Sequence, residues 1–390
     1  MSGAPPKLLV ATTDPVTPWV LMRGQLGFLR SKGYDVVLVS APGELLDATA
    51  DREDVRVLPL AMEREISLRA DAKALRRLID VFRAERPDIS MVSTPKAGLL
   101  GGIAAWLVRV PTRIYVLRGL RLETARGPQR VLLWLVEWIS LHVAHQVLVV
   151  SPSLLDRTRR LRLLGPRGGV VLGAGASNGV DPERFRPTPD RLAAGLAFRV
   201  DSEIPDDAFV FGFVGRPSVD KGIAELATAF AELAAERPDV WLLMVGPRDL
   251  TELSPEVAAV MEATPRVVFT GWMNEPDECY RVMDALVLPT YREGFPNVPI
   301  EAAAAERPVI TTTATGAVDS IRPDVTGLLV PVRDAEALLD AMRRLARDRS
   351  LAAEMGAAGR AFVDEHFTNE RVWAQLAEFL TDCRAGRADR

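Results

Sequence analysis

The sequence predicts an α/β protein built from two Rossmann-like, doubly wound domains, each a parallel sheet with helices on both faces. Three observations carry that expectation. The 390 residues are about two domains' worth of chain, each long enough for its own core. Short β-branched runs alternate with stretches whose apolar residues recur three and four apart, as in a parallel sheet with crossover helices. The alternation stops once, in the Gly-, Pro-, Ser- and Asp-rich stretch 173–190, and then restarts.

In the first half, strands are expected at 8–11, 36–40, 55–58, 89–93, 113–117, 146–150 and 170–172. Helices fit between them at 19–30, 68–84, 98–108, 128–143 and 152–164, each ending near Gly or Pro. The second half repeats the pattern, with strands at 210–214, 241–245, 267–270, 285–289, 309–312 and 328–330. Helices at 335–347, 351–365 and 368–382 close the chain. The expected domains are therefore 1–178, 179–366 and a C-terminal helix, 367–390, that crosses back onto the first. Two such domains on a short connector face each other across a cleft, and ligands of doubly wound sheets bind beyond the carboxyl ends of the strands.

Composition narrows the class. With 48% hydrophobic and 26% charged residues the chain is neither disordered nor fibrous. Its two cysteines, Cys279 and Cys383, supply no disulfide framework or zinc knuckle and suit a reducing cytoplasm. No run approaches the roughly 20 apolar residues that span a bilayer, and the start MSGAPPKLLV has no charged region followed by an apolar one, so a cytoplasmic protein is expected. The net charge of −4 conceals an asymmetry: residues 1–178 hold 25 Lys and Arg against 16 Asp and Glu, and the remainder 23 against 36. The basic half suits an anionic partner, such as a phosphate-bearing acceptor or a membrane surface. Nucleic acid is not expected, since no recognition motif accompanies the charge.

Two segments stand where strands run into helices. In GRPSVDKG, 215–222, Gly215 lets the backbone approach a ligand while Arg216 and Lys221 add two cations at a helix start, which together make a diphosphate cradle. A plain turn with solvated Arg and Lys is the blander reading. The Walker pattern is not matched, because Gly222 and Ile223 follow the lysine. In EGFPNVPIE, 293–301, Glu293 lies in the loop and Glu301 in the helix, and Gly294, Phe295, Pro296 and Asn297 lie between them at the helix start. Two carboxylates beside a nest of amides suit a nucleotide sugar, although acidic residues near a helix start are common.

With these motifs, and with STPKAG, 93–98, VLRGLRLET, 116–124, and SNGVDPERF, 177–185, the chain resembles the retaining glycosyltransferases of the GT-B fold, family 4, over essentially its whole length. The resemblance implies that Arg216 and Lys221 hold the donor diphosphate, that Glu301 meets the ribose and that Glu293 meets hydroxyls of the transferred sugar. It also implies that the backbone from Gly294 to Asn297 cradles sugar and phosphate. Arg216, Lys221 and Glu293 are then the expected catalytic residues, the donor is expected to be a UDP-sugar, and neither metal nor cofactor is expected. Departing diphosphate needs its negative charge stabilised, which cations and amides do. Many relatives carry His-Gly where this chain has Arg118-Gly119. An arginine cannot act as a neutral base but can bind phosphate bidentately; a surface arginine fits as well.

The acceptor side offers Thr13, Lys96 and Arg118, each after an expected strand. Arginines on both sides of the helix that carries Trp134 and Trp138 would suit peripheral contact with anionic lipid at the inner face of the cell membrane, and a core helix with solvated arginines accounts for the same pattern. The function expected is sugar transfer to a glycan or a polyprenyl-diphosphate-linked acceptor in polysaccharide or glycoconjugate assembly. The rivals are transfer to a small natural product, a sugar-nucleotide epimerase, for which no acid and base set is evident, and an inactive nucleotide-sugar-binding subunit.

Overall fold

In the computed structural model, which describes residues 4–63, 67–166, 168–186, 188–273 and 275–386, the chain forms two compact units. The first is Met1–Gly179 with Asn369–Arg390 and the second is Val180–Thr368. The first unit holds strands β1 (Lys7–Ala11), β2 (Asp35–Ser40), β3 (Arg56–Pro59), β4 (Ile89–Ser93), β5 (Thr112–Leu117) and β6 (Gln146–Val149). They form one parallel sheet in the order β3-β2-β1-β4-β5-β6. The second unit holds β7 (Phe209–Val214), β8 (Val240–Val245), β9 (Val267–Gly271), β10 (Ala285–Leu288), β11 (Val309–Thr312) and β12 (Gly327–Val330). Their order is β12-β11-β10-β7-β8-β9, again parallel.

The strands read as apolar runs because helices cover both faces of each sheet. In the second unit Phe209, Phe211 and Phe213 are buried in a core with Leu226, Phe230 and Leu233 of the helix Ile223–Glu236 and Leu338, Met342 and Leu345 of the helix Ala335–Arg347. Burying each such side chain stabilises the unit by about 1.5–3 kcal/mol. Strand order reverses between β1 and β4 in the first sheet and between β7 and β10 in the second, and ligands of such sheets bind at the carboxyl ends beside that point.

The first unit adds a helix, Glu44–Glu53, that was not among those expected, and two of the expected elements differ in kind. The helix expected at 19–30 is two, Val16–Leu21 and Gln25–Ser31, broken at Gly24, whose φ of +75° a helix cannot accommodate. The buried Glu53 carboxylate accepts the N–H groups of Gly24 and Gly27 at 2.8 and 3.0 Å, which settles the second helix start. The strand expected at 170–172 shrinks to one bridge between Val170 and Leu148. The helix Asn369–Arg384 belongs to the first unit. There Trp373 packs 5.5 Å from Phe28 and donates its indole N–H to Asn178 at 2.6 Å.

One buried pair makes stability depend on pH. Tyr115 donates its hydroxyl to Glu137 Oε2 at 2.9 Å, and both side chains are buried. Burial, opposed in part by this hydrogen bond, pushes the Glu137 carboxyl from 4.5 up to about 7. The folded chain therefore keeps this proton where the unfolded chain has lost it. Stability is full below the ordinary carboxylate value and falls as pH rises through about 7. Glu137→Gln keeps an acceptor for Tyr115 and cannot ionise. In denaturant unfolding at pH 8 it is expected to exceed the wild type by up to about 3 kcal/mol, with a much smaller gap at pH 5. Equal gaps at both pH values would remove the assignment.

Candidate functional site

The carboxyl edge of the second sheet is built by the loops after β7 and β10. After β7 the backbone turns at Gly215, with φ +143°, and runs through the single turn Val219–Lys221 to Gly222, which opens the helix Ile223–Glu236. After β10 it runs through Glu293 to the helix Asn297–Ala304. Because β7 and β10 are neighbours, Lys221 Nζ donates to Glu293 Oε1 although 72 residues separate them in sequence.

Asp220 ties the two loops together. Its carboxylate accepts from Arg292 Nε at 3.0 Å, and its carbonyl accepts from the Tyr291 N–H at 2.8 Å and the Thr290 hydroxyl at 3.0 Å. The Tyr291 hydroxyl donates to Glu225 in the first turn of the following helix at 2.6 Å. Below, the Glu293 N–H donates to Thr315 O at 2.8 Å, and Gly316, with φ +78°, passes so close that a Cβ there would lie 2.3 Å from Gly294 O.

Both helices that open at this edge start without a side-chain cap, at Gly222 and Pro296. Elsewhere in the unit Ser254, Asp334 and Asp348 cap helices with their side chains. Uncapped helix starts beside a lysine favour an anion. The Asn297 Oδ1 is buried there without a partner. Phe295, buried 5.2 Å from Phe367, anchors the backbone of the loop, in which Gly294 and Pro296 are buried too. Glu301 accepts the Tyr280 hydroxyl at 2.6 Å. Burial, then the Glu301 charge, raises the Tyr280 hydroxyl well above its ordinary value, so it stays a donor and orients that carboxylate.

The structure thus brings Lys221 and Glu293 together and leaves Arg216 elsewhere on the rim, paired with Glu252, both about half exposed. Asp220, Arg292, Tyr280 and Gly316 were not singled out from sequence. Asp220 and Arg292 stand beside the pair in VDKG and YREG, whereas Tyr280 and Gly316 lie in neither segment.

In the first unit, Thr13 after β1 shares a 2.7 Å hydroxyl contact with Thr94 after β4 and accepts the Ala97 N–H at 3.1 Å, at the point where the order reverses. Thr94 holds a φ of +70°, the kind of strain found at ligand sites. Lys96 is already paired with Asp71 at 2.7 Å, both largely buried. Arg118 differs: it donates to Ser177 O at 3.1 Å, its Nε is buried without a partner, and burial alone lowers its pKa to about 10, so it stays charged at neutral pH. No carboxylate among the described residues pairs with it. Among the described residues no group of three His, Cys, Asp or Glu is placed to hold a metal, and no helix is long and apolar enough to cross a membrane.

A family model described as "Glycosyl transferase 4-like domain" matches residues 19–175, and one described as "Glycosyl transferases group 1" matches residues 208–348. The chain is 39% identical over 358 residues, 91% of its length and 92% of the relative's, to the capsular polysaccharide biosynthesis glycosyltransferase CapM of Staphylococcus aureus. It is 25% identical over 330 residues, 83% of each chain, to an Escherichia coli UDP-Gal:α-D-GlcNAc-diphosphoundecaprenol α-1,3-galactosyltransferase. Among solved structures it is similar to Anabaena HepE in complex with UDP and glucose, with a TM-score of 0.81 at 18% identity over 96% of this chain and 99% of that one.

Proposed function

Because this chain belongs to the family 4 glycosyltransferases of the GT-B fold, we propose that it transfers a sugar from a UDP-sugar to a polyprenyl-diphosphate-linked glycan. The reaction retains the configuration at the anomeric carbon, uses neither metal nor cofactor, and serves polysaccharide assembly at the cytoplasmic face of the membrane. The observation that carries this reading is the Lys221–Glu293 pair beside two uncapped helix starts, at the reversal of strand order in the second sheet. The capsular and diphosphoundecaprenol-dependent relatives support the acceptor class, and the UDP named in a relative and in a fold neighbour supports the donor.

In the step proposed, the bond from the anomeric carbon to the diphosphate oxygen breaks and its electron pair stays on the phosphate. The acceptor hydroxyl oxygen bonds to the same face of that carbon, and its proton passes to the departing phosphate. Lys221 and the free N–H groups of the helix starts stabilise the charge that appears on the diphosphate, with Arg216 released from Glu252 to join them. Glu293 accepts from sugar hydroxyls, Glu301 from the ribose, and the backbone of Gly294, Phe295, Pro296 and Asn297 lines the sugar and phosphate. Thr13 and Arg118 serve the acceptor, Arg118 as a cation for its diphosphate; Lys96, tied to Asp71, helps shape that loop.

The test is a thermal-shift panel of UDP-, GDP- and ADP-sugars, each with EDTA. It is followed by transfer of labelled sugar into a polyprenyl-diphosphate glycan and NMR of the product linkage. A UDP-sugar shift that survives EDTA and disappears in Lys221→Ala is expected. No shift with any nucleotide sugar would overturn the transferase reading, and loss of the shift in EDTA would overturn metal independence.

A further inference from the structure

Arg118, the residue after β5, is a cation that no described group of opposite charge answers. Its Nη1 donates to the Ser177 carbonyl at 3.1 Å, and its Nε is buried without a partner. Burial is the one influence on its pKa, with no carboxylate among the causes, and at about 10 that pKa leaves the guanidinium charged at neutral pH. A charge taken out of water is costly unless an anion compensates it.

The side chain borders a cavity of about 30 Å³ within the first unit. Met91 of β4, Val116 of β5 and Leu148 of β6 line it from the sheet, and Val372 and Leu376 line it from the helix Asn369–Arg384. Gln375 of that helix brings an amide to the same space. Gly173 makes the room for it, since a Cβ there would lie 2.6 Å from the Gln375 Oε1. The connector 175–177 closes in from the third side, with Gly175 so near β6 that a Cβ would lie 2.6 Å from Val150 O. One cation and one amide therefore face walls that are otherwise largely apolar.

Size and charge select the occupant. At about 10–15 Å³ for each water, the space takes two or so waters or one small ion. Water would satisfy the Nε and leave the charge uncompensated. A free phosphate dianion would bring two charges, and more oxygens than one guanidinium and one amide can serve. A compact monovalent anion meets each demand, with its charge on the guanidinium, the amide N–H as a second donor and its remaining surface against apolar side chains. We propose that this cavity binds one chloride ion between Arg118 Nε and the Gln375 amide, joining the first sheet to the last helix. The site stands on the first unit alone. That chloride also competes with the acceptor diphosphate for Arg118 is a consequence that rests on the transfer reading.

The full chain is melted in potassium chloride and in potassium gluconate of equal ionic strength, with neither donor nor acceptor present. Chloride at about ten times its dissociation constant is expected to raise the melting temperature by about 3–5 °C over gluconate, whose anion is too large for the cavity. Bromide should act as chloride does, and the chlorine NMR line of the same solutions should be broadened by exchange with the protein. Arg118→Met sets an apolar side chain against apolar walls, so it should fold, and it is expected to abolish both effects. Gln375→Leu keeps the cation and should weaken chloride binding about fivefold, the worth of one hydrogen bond. With donor and acceptor added, chloride should raise KM for the polyprenyl-diphosphate acceptor at unchanged kcat. The proposal is overturned by equal melting temperatures in the two salts, by an unbroadened chlorine line, or by a chloride shift that Arg118→Met retains. An acceptor KM indifferent to chloride, beside an intact melting shift, would overturn the competition and not the site.

Discussion

Lys221→Ala is expected to lower kcat by about 10²–10³-fold while the protein stays folded, because removing one preorganised group aimed at developing oxyanion charge costs about 3–4 kcal/mol. The lysine is suited to that task by position. It ends a single turn at the reversal of strand order, and the Asp220 contacts to Thr290, Tyr291 and Arg292 hold that turn against the neighbouring loop. Its side chain is about one-third exposed, so its pairing with Glu293 adds little to stability and the melting temperature should move by only a degree or two. In the reaction proposed, the donor diphosphate is a stronger anion for the ammonium than one carboxylate and leaves Glu293 to sugar hydroxyls. Lys221 and Glu293 then act on different parts of one donor. In a cycle with Glu293→Gln the losses in kcat/KM should roughly multiply, whereas two residues that worked only as a pair would lose no more together than singly. A Lys221→Ala enzyme with kcat within threefold of wild type would show that the charge is stabilised elsewhere.

Much of the architecture was legible because parallel strands covered on both faces must be apolar throughout. Segments such as 36–40 and 209–214 have no other use for such runs. Gly24 was harder to read, since its break is set by contacts from distant segments, the Glu53 carboxylate and the Trp373 ring. The candidate site was legible one loop at a time. GRPSVDKG and EGFPNVPIE each follow a strand, but that Lys221 meets Glu293 depends on β7 pairing with β10, which no local pattern encodes. Arg118 could be read as a phosphate ligand or a solvated arginine, and its burial with an unpartnered Nε speaks only against the second. The helix Gly127–Val143 carries the clearest lesson. Its apolar spacing announces a face but not which side is covered, and the inward position of Glu137 follows from Tyr115 waiting on β5 to receive it.

Gly222→Ala is expected to be nearly as damaging as loss of the lysine beside it, through geometry alone. Gly222 holds φ +71°, which costs another residue about 1–2 kcal/mol. A Cβ there would lie 2.0 Å from the Pro289 carbonyl oxygen, and that oxygen belongs to backbone just beyond the end of β10, so no side chain can swing aside. The loop after β7 must therefore move away from the loop after β10 by roughly 1 Å or more, the distance that restores an ordinary contact. Such a shift pulls Asp220 from Tyr291 and Arg292, and Lys221 from Glu293, together. A displacement of that size costs about 10²-fold in rate when the moved group must align with a reacting centre. Gly33 supplies the control, since its φ is +90° and a Cβ there would meet nothing within 4 Å. Gly33→Ala should therefore carry the conformational cost alone, with turnover intact. Equal melting temperatures and equal turnover for the two variants would mean that the close approach of the two loops is not what positions Lys221. A far larger loss of turnover in Gly222→Ala, with UDP-sugar protection also weakened, would tie the cradle to that single contact between neighbouring strand ends.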